Sequence, residues 1–428
     1  MEYHPQQWPK KPLADPNPTP TLTLTLNSSA LPESLKPDDC GLRLIQLLLA
    51  CATHASCGNL HRADACLRHI AQLSSVSGDS MQRLAARFAS SLAARLLKRW
   101  PGLHRALTQV HHQHGPGLNL TAHLAFSRAL PYLRFAYTAV QRALLHAMSD
   151  EKVVHIIDIG SGDPNLWAPL LGAFSRSPGG PPHLKITCLR GGKDVLSHMS
   201  SGLVKEAEAL DIPFQFNPLN VGQRDVTVDM LKVRSGEALA ICSFLSLHTL
   251  LAEDDVHVGS CLGAERAQNP LRPCKQVDRF LSMVRTMSPK VFMLVEQDAD
   301  HSSPRLTDRF VQGLYYYSAM FDSVDASAGS MSSQERLAVE EMLGREIESI
   351  VGCEGVEREE RHEPSAKWAV RMRRAGFWPV RLWGATMDEV RRLVESYGRD
   401  DYNVVNERGF LTICWHERPI YAVSAWQC

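Results

Sequence analysis

The stretch from Val153 to Trp167, VVHIIDIGSGDPNLW, decides how this chain is read. Its first seven residues form an almost unbroken apolar run. That is the pattern of a parallel strand covered on both faces, not the alternation of a half-exposed one. Gly160 and Gly162 follow at once, then a helix carrying Trp167, Leu170, Leu171 and Phe174. A glycine-bearing turn between a buried strand and a helix N-terminus allows close backbone approach to an anionic or nucleotide ligand. Asp158, Gly160 and Gly162 are therefore weak candidates for binding S-adenosylmethionine. The competing reading is a tight strand-to-helix turn with no ligand.

Downstream, the grammar of strand then helix repeats. LKITCLRG (184–191), IPFQFNPL (212–219), ALAICSFLSLHTL (238–250) and KVFMLVEQDAD (290–300) read as strands, with a helix near 194–210. Helical patterns follow at 334–350 and 387–397, and KWAVRMRRAGFWPVRL (367–382) reads as helix, turn, strand. GFLTICW and YAVSAW are separated only by HERP, so they form an antiparallel hairpin; a parallel crossover needs a dozen or more residues. These patterns predict a Rossmann-like, class I methyltransferase-like α/β fold: a mostly parallel sheet with a C-terminal antiparallel hairpin, plus an N-terminal helical cap.

Upstream, residues 1–37 are polar and proline-rich and read as a disordered tail. Leu44, Leu47, Leu48, Cys51 and Ala52 then repeat at helical spacing. Asn59 is placed to cap a second helix, with Leu60, Ala63, Leu67 and Ile70 on its apolar face. A third turns Met81, Leu84, Phe88, Leu92 and Leu96 inward and Arg83, Arg87, Arg95, Lys98 and Arg99 toward solvent, ending at Pro101. A further helix is expected over 128–149. The division expected is a tail (1–37), a helical cap with a leucine-rich region (38–150) and an α/β core (151–428), the last two forming one domain over 38–428.

Composition narrows the function. Lys plus Arg and Asp plus Glu both number 46, so no global positive field favours nucleic acid. The 11 cysteines include no CxxC pair and read as reduced core thiols. No apolar run is long enough to cross a membrane. Chemistry is sparse: the second strand ends in Leu189-Arg190-Gly191-Gly192, with Asp194 further on, where a ribose-binding acid would be expected. His248 has no evident partner as a base. Glu296 and Asp298 read as a salt bridge or cap ahead of a cation site, and His111, His112 and His114 as an exposed loop. Arg358, Glu359, Glu360 and Arg361 read as a salt-bridged structural segment. No catalytic residue, metal ligand set or bound cofactor is expected. Leu44, Leu47 and Leu48 form an LxxLL pattern that could dock in a partner's groove, but they are also the best core residues of their helix.

Ordered motifs along most of the chain carry a resemblance. LLLACA (47–52), PYLRFAY (131–137), Val154-His155-Ile156-Ile157-Asp158, RFVQGLYYYSAMFDS (309–323), the segment 335–361 with Arg345 and Glu346, RAGFWPV (374–380) with Gly376 and Phe377, and the terminal Ser424-Ala425-Trp426 resemble the plant GRAS family of transcriptional regulators, closest to its scarecrow-like 3 group. With Leu44, Leu47, Leu48 and Trp167 these are the family-motif residues. The resemblance implies a nuclear, non-enzymatic co-regulator that acts through contacts with transcription factors, in gibberellin-responsive growth or root development. It also implies homo- or hetero-association with relatives and indirect contact with DNA. Direct sequence-specific DNA binding and S-adenosylmethionine-dependent methyl transfer are the alternatives. The sequence departs from the family pattern at IGSGDPNLW, where Leu166 precedes Trp167 in place of the usual glutamine.

Overall fold

Val153–Ile159 forms β1, buried at every residue after the first, as its apolar run requires. The computed structural model describes residues 37–103, 105–106, 116–189, 193–252, 271–382 and 384–428. Residues 1–36 of the tail, the 111–114 histidines and 190–192 lie outside these residues, while Pro37, assigned to the tail, opens the first helix.

From β1 the chain builds α6 (Pro164–Phe174), β2 (His183–Leu189), α7 (Lys193–Ala209), β3 (Phe214–Leu219), the single turn α8 (Val228–Leu231) and β4 (Ala238–Phe244). A 3₁₀ segment at Leu247–Leu251 leads on to α9 (Lys275–Thr286) and β5 (Val291–Gln297). Later come α12 (Ser365–Arg374), β6 (Trp378–Val380), α13 (Gly384–Glu395), β7 (Tyr402–Glu407), β8 (Phe410–Trp415) and β9 (Arg418–Gln427). Among the described residues nine strands make one sheet in the order β3-β2-β1-β4-β5-β9-β8-β7, with β6 also on β9.

A second layer holds α1 (Pro37–Ser56), α2 (Leu60–Leu73), α3 (Ser80–Leu97), α4 (Pro116–Ala129) and α5 (Tyr132–Ala147). It also takes in α10 (Leu306–Ala326) and α11 (Ser333–Gly352), which pack against α3 although more than 200 residues separate them in sequence. Phe88 of α3 meets Phe310 of α10 edge-on at 5.1 Å. One apolar cluster runs from Leu44 and Phe88 through Tyr132 and Ile156 to Val423. A smaller one lies on the other side of the sheet around Ile241, Phe292, Trp368 and Trp426.

This corrects the expected fold class. The chain has a largely α-helical fold, not a Rossmann-like methyltransferase fold with a mostly parallel sheet and an N-terminal cap. Helical residues far outnumber strand residues. Only the β1–β2, β1–β4, β2–β3 and β4–β5 ladders are parallel; the four ladders of β6 to β9 are antiparallel. The expected hairpin is one part of an antiparallel half-sheet, and the helical layer joins N-terminal helices to two that follow β5.

The expected solvent-facing basic stripe is also corrected. Arg83 is buried and its Nε donates to Glu340 Oε1 at 2.7 Å, while Nη2 reaches Asp325 Oδ1 at 2.6 Å. Arg87 pairs with Glu341, Arg95 with Glu354 at 2.6 Å, and Lys98 with Glu357 at 3.0 Å. Three cations of α3 and its C-cap Lys98 thus meet acids from α10, α11 and the segment after it. The helix expected over roughly 128–149 is α5, which begins only at Tyr132 because proline at 131 ends the preceding α4 and cannot donate in a helix interior. Strand β7 and helix α4 were not anticipated from the sequence.

Candidate functional site

At the carboxyl end of β1 the turn is closed upon itself. Asp158 is fully buried; its carboxylate accepts from Trp167 Nε1 at 2.9 Å, Ser161 N at 3.2 Å and Cys188 Sγ at 3.4 Å, and pairs with Ser161 Oγ. Burial pushes its carboxyl above the usual carboxylate range, against these hydrogen bonds. Gly160 has φ +96°, and a Cβ there would lie 2.5 Å from Ser246 Cβ and 2.6 Å from the Phe244 carbonyl oxygen. Gly162, at φ +54°, faces open space. The next acid, Asp163, caps α6 by accepting from Asn165 N at 2.9 Å. It also accepts from Tyr137 Oη at 2.8 Å and lies 3.0 Å from His123 Nε2, so α4 and α5 are pinned over the turn.

His155 lies on the same strand, buried between Glu237 (2.9 Å to Nδ1) and Thr187 Oγ1 (2.8 Å to Nε2). Burial, and then the nearby Lys185, pull its imidazole down to about 4 against the attraction of Glu237.

A second polar cluster sits past the ends of β4 and β5. His248 is buried between two carboxylates, with Glu296 Oε2 2.7 Å from Nδ1 and Glu360 Oε2 2.9 Å from Nε2. Burial opposes its protonation, but Glu296 and Glu360 more than offset that and raise it to about 10. Glu296 Oε1 also accepts from Leu247 N at 2.8 Å, fixing the start of the 3₁₀ segment. His362 Nε2 is 3.1 Å from Glu360 Oε2, and its Nδ1 is 3.0 Å from His301 Nδ1. Burial and its neighbours keep both of these imidazoles down. Sequence reading found no partner for His248 because both partners lie far along the chain. Glu296 serves as cap and counter-ion, while Asp298 accepts from Ser365 N at 2.8 Å.

Among the described residues, His248, Glu360 and His362 are the group whose ligand-type atoms converge, within 4.8 Å of one another. Its His248 is held as an imidazolium between the Glu296 and Glu360 carboxylates, so the arrangement acts as a proton-locked brace between β5 and the segment around Glu360. The segment Arg358–Arg361 belongs to it. Arg358 Nη1 donates to the His301 carbonyl at 3.0 Å, and Arg361 Nη2 to the Gly355 carbonyl at 2.6 Å.

The other motif residues are packing and bracing groups. Leu44, Leu47 and Leu48 are at most 1% exposed. Val154, Ile156, Ile157 and Trp167 are core. Arg345 is exposed, while Glu346 accepts from Tyr317 Oη at 2.7 Å and Gln297 Nε2 at 3.1 Å. Burial and then Glu360 push the Glu346 carboxyl up to about 7. Gly376 has φ +88° and leaves room for the Arg285 guanidinium; Phe377 meets Phe292 edge-on at 5.7 Å. Trp426 Nε1 donates to Ser424 Oγ at 2.9 Å, and β9 places Val423 and Ala425 in one apolar cluster and Ala422 and Trp426 in the other.

The surface offers a groove of about 920 Å³ where the helical layer meets the antiparallel half-sheet. Met81, Leu84, Ala319 and Trp415 supply its apolar lining, and Asp322, Asp400, Asp401 and Glu417 its acids. Trp415 Nε1 donates to Asp322 Oδ2 at 2.9 Å. Tyr315 is 55% exposed beside it, with the Arg418 guanidinium 4.3 Å above its ring. No helix of the described residues is long and apolar enough to cross a membrane.

A model of the GRAS domain family matches residues 44–427. Scarecrow-like protein 3 of Arabidopsis thaliana is 40% identical, over 92% of this chain and 91% of that protein. GRAS family protein TF80 of Medicago truncatula is 33% identical, over 92% and 97%, and DELLA protein GAI1 of Vitis vinifera 33%, over 90% and 62%. The crystal structure of SCL7 from Oryza sativa superposes with a TM-score of 0.74 at 27% identity, covering 90% of this chain and 99% of that one.

Proposed function

Since the chain belongs to the GRAS domain family, we propose that it is a co-regulator of gibberellin-responsive growth or root development that engages transcription factors through its outer surface. It is a nuclear transcriptional regulator related to the Scarecrow-like and DELLA proteins, not an enzyme, and it works through protein–protein contacts. The observation that carries the reading is the state of Asp158. A carboxylate bonded to Ser161, Trp167 and Cys188 presents no acceptor to a cofactor. The glycines beside it serve the turn, Gly160 by letting the chain pass against Ser246. The open groove lies elsewhere and its rim carries acids, which repel nucleic-acid phosphates.

Recovery of associated proteins from plant nuclei, paired with DNA binding by the purified chain, tests this. Transcription factors are expected in the recovered set. Affinity for duplex DNA is expected to be weak, steeply salt-dependent and indifferent to sequence. A nanomolar preference for one DNA site at physiological salt, or micromolar binding of S-adenosylmethionine by calorimetry, would refute it.

A further inference from the structure

We propose that the groove between α3, α10, the start of β7 and the β8–β9 turn receives a short basic segment of a partner protein, in which lysines or arginines flank one bulky apolar anchor. This rests on the co-regulator reading and names the chemistry of the partner. The groove's volume of about 920 Å³ is that of a cleft able to bury several side chains. Its accessible apolar lining is Met81 and Tyr315, backed by the buried Leu84, Ala319 and Trp415, and this suits one apolar anchor.

Charge decides the rest. Asp322, Asp400, Asp401 and Glu417 line the groove, with Arg418 and His416 as the basic residues. Arg418 is engaged over Tyr315 and donates to the Tyr315 carbonyl at 3.1 Å. His416 lies 3.9 Å from Asp322 and 3.7 Å from Asp401, between two acids. Arg399 also meets Asp401 at 3.6 Å, so the surplus of carboxylates rests on Asp400 and Glu417, and there an incoming cation gains what an incoming anion loses.

The chain's own N-terminal segment is the competing occupant. Trp8, Lys10 and Lys11 have the required chemistry. Helix α1 also begins beside the groove, since a Cβ on Gly41 would lie 3.6 Å from Cγ of the groove-lining Met81.

Fluorescence anisotropy on the full chain separates these. The probes are a labelled peptide with Lys-Lys and Arg-Arg flanking a single Trp, and its Glu-substituted counterpart. The basic peptide is expected to bind with micromolar affinity that falls as salt rises. Asp400→Lys with Glu417→Lys, at exposed positions, is expected to weaken it by about tenfold or more. Glu208→Lys, on the surface of α7, is expected to leave it unchanged. No binding of the basic peptide, equal binding of both peptides, or indifference to the double reversal would overturn the proposal. A rise in affinity on Lys10→Glu with Lys11→Glu would also overturn it, assigning the groove to the chain's own segment. Recovery of transcription factors by a protein that ignores the peptide would leave the co-regulator reading standing and remove only this one.

Discussion

Replacing Gly160 with alanine is expected to destabilise the protein far more than the same change at Gly162, two residues away in the same turn. Both glycines have positive φ, at +96° and +54°. A left-handed conformation costs an L-residue roughly 1–2 kcal/mol. Part of that is returned, because alanine loses less entropy on folding, about 0.4–1 kcal/mol. At Gly162 nothing stands within 4 Å of the added Cβ, so the net loss is about 1 kcal/mol. At Gly160 the added atom would lie 2.5 Å from Ser246 Cβ and 2.6 Å from the Phe244 carbonyl oxygen. One of these is backbone at the end of a central strand, so relief requires the strand end to move. Such overpacking adds about 1–3 kcal/mol. Gly160→Ala is therefore expected to cost about 2–4 kcal/mol, against about 1 for Gly162→Ala. Equilibrium urea unfolding, followed by circular dichroism, reads both directly. Equal losses, or a Gly160→Ala protein within about 0.5 kcal/mol of the parent, would show that close approach to Ser246 is not what the glycine serves.

Arg83→Ala leaves Glu340 buried without its main cation and should cost about 3–5 kcal/mol; Lys98→Ala, at a partly exposed pair, should cost no more than about 1 kcal/mol in the same urea assay. His248 is raised to about 10 in the folded state against about 6.5 unfolded, so its contribution is complete below about 6.5 and is lost as pH rises toward 10. The urea midpoint should accordingly fall between pH 7 and 9, and this slope should flatten in His248→Gln; an unchanged slope in the variant would reject the doubly braced imidazolium. Trp426→Ala should cost about 3–5 kcal/mol by cavity formation, so loss of activity on changing the terminal motif should track loss of folded protein in circular dichroism. A fully folded, inactive Trp426→Ala protein would instead place a partner contact there.

Much of the local structure is legible in the residues. The runs at 153–159, 184–189 and 238–244 are apolar enough to demand burial on both faces, and each is a strand. Asn59 caps α2 by accepting from Arg62 N, as its position predicts. Where one residue type has two environments available, the sequence is silent. Strand β7 escaped because its pattern, with Asn403, Asn406 and Glu407, lacks the alternation that marks a half-buried strand. Helix α4 escaped because its weakly patterned residues follow a loop-like Gly-Pro approach; Pro116 in fact opens the helix, where its missing N–H costs nothing.

The sequence alone determined the family, through motifs in fixed order, and the positions of the buried strands and the leucine-bearing helices. The largely helical character of the whole, and what the charges do, were settled only by tertiary structure. Hydrophobic periodicity reports which face of an element is covered, but not which distant element covers it. An arginine on a polar face looks the same whether it meets water or a carboxylate, so Arg83 read as solvated although Glu340 lies 257 residues away. His248 likewise seemed without a partner, since Glu296 and Glu360 reach it from positions 48 and 112 residues later. Asp158 and its two glycines carry the converse lesson. Their spacing suits a ligand loop, and it was the arrival of Trp167, Cys188 and Ser246 from neighbouring elements that closed the turn.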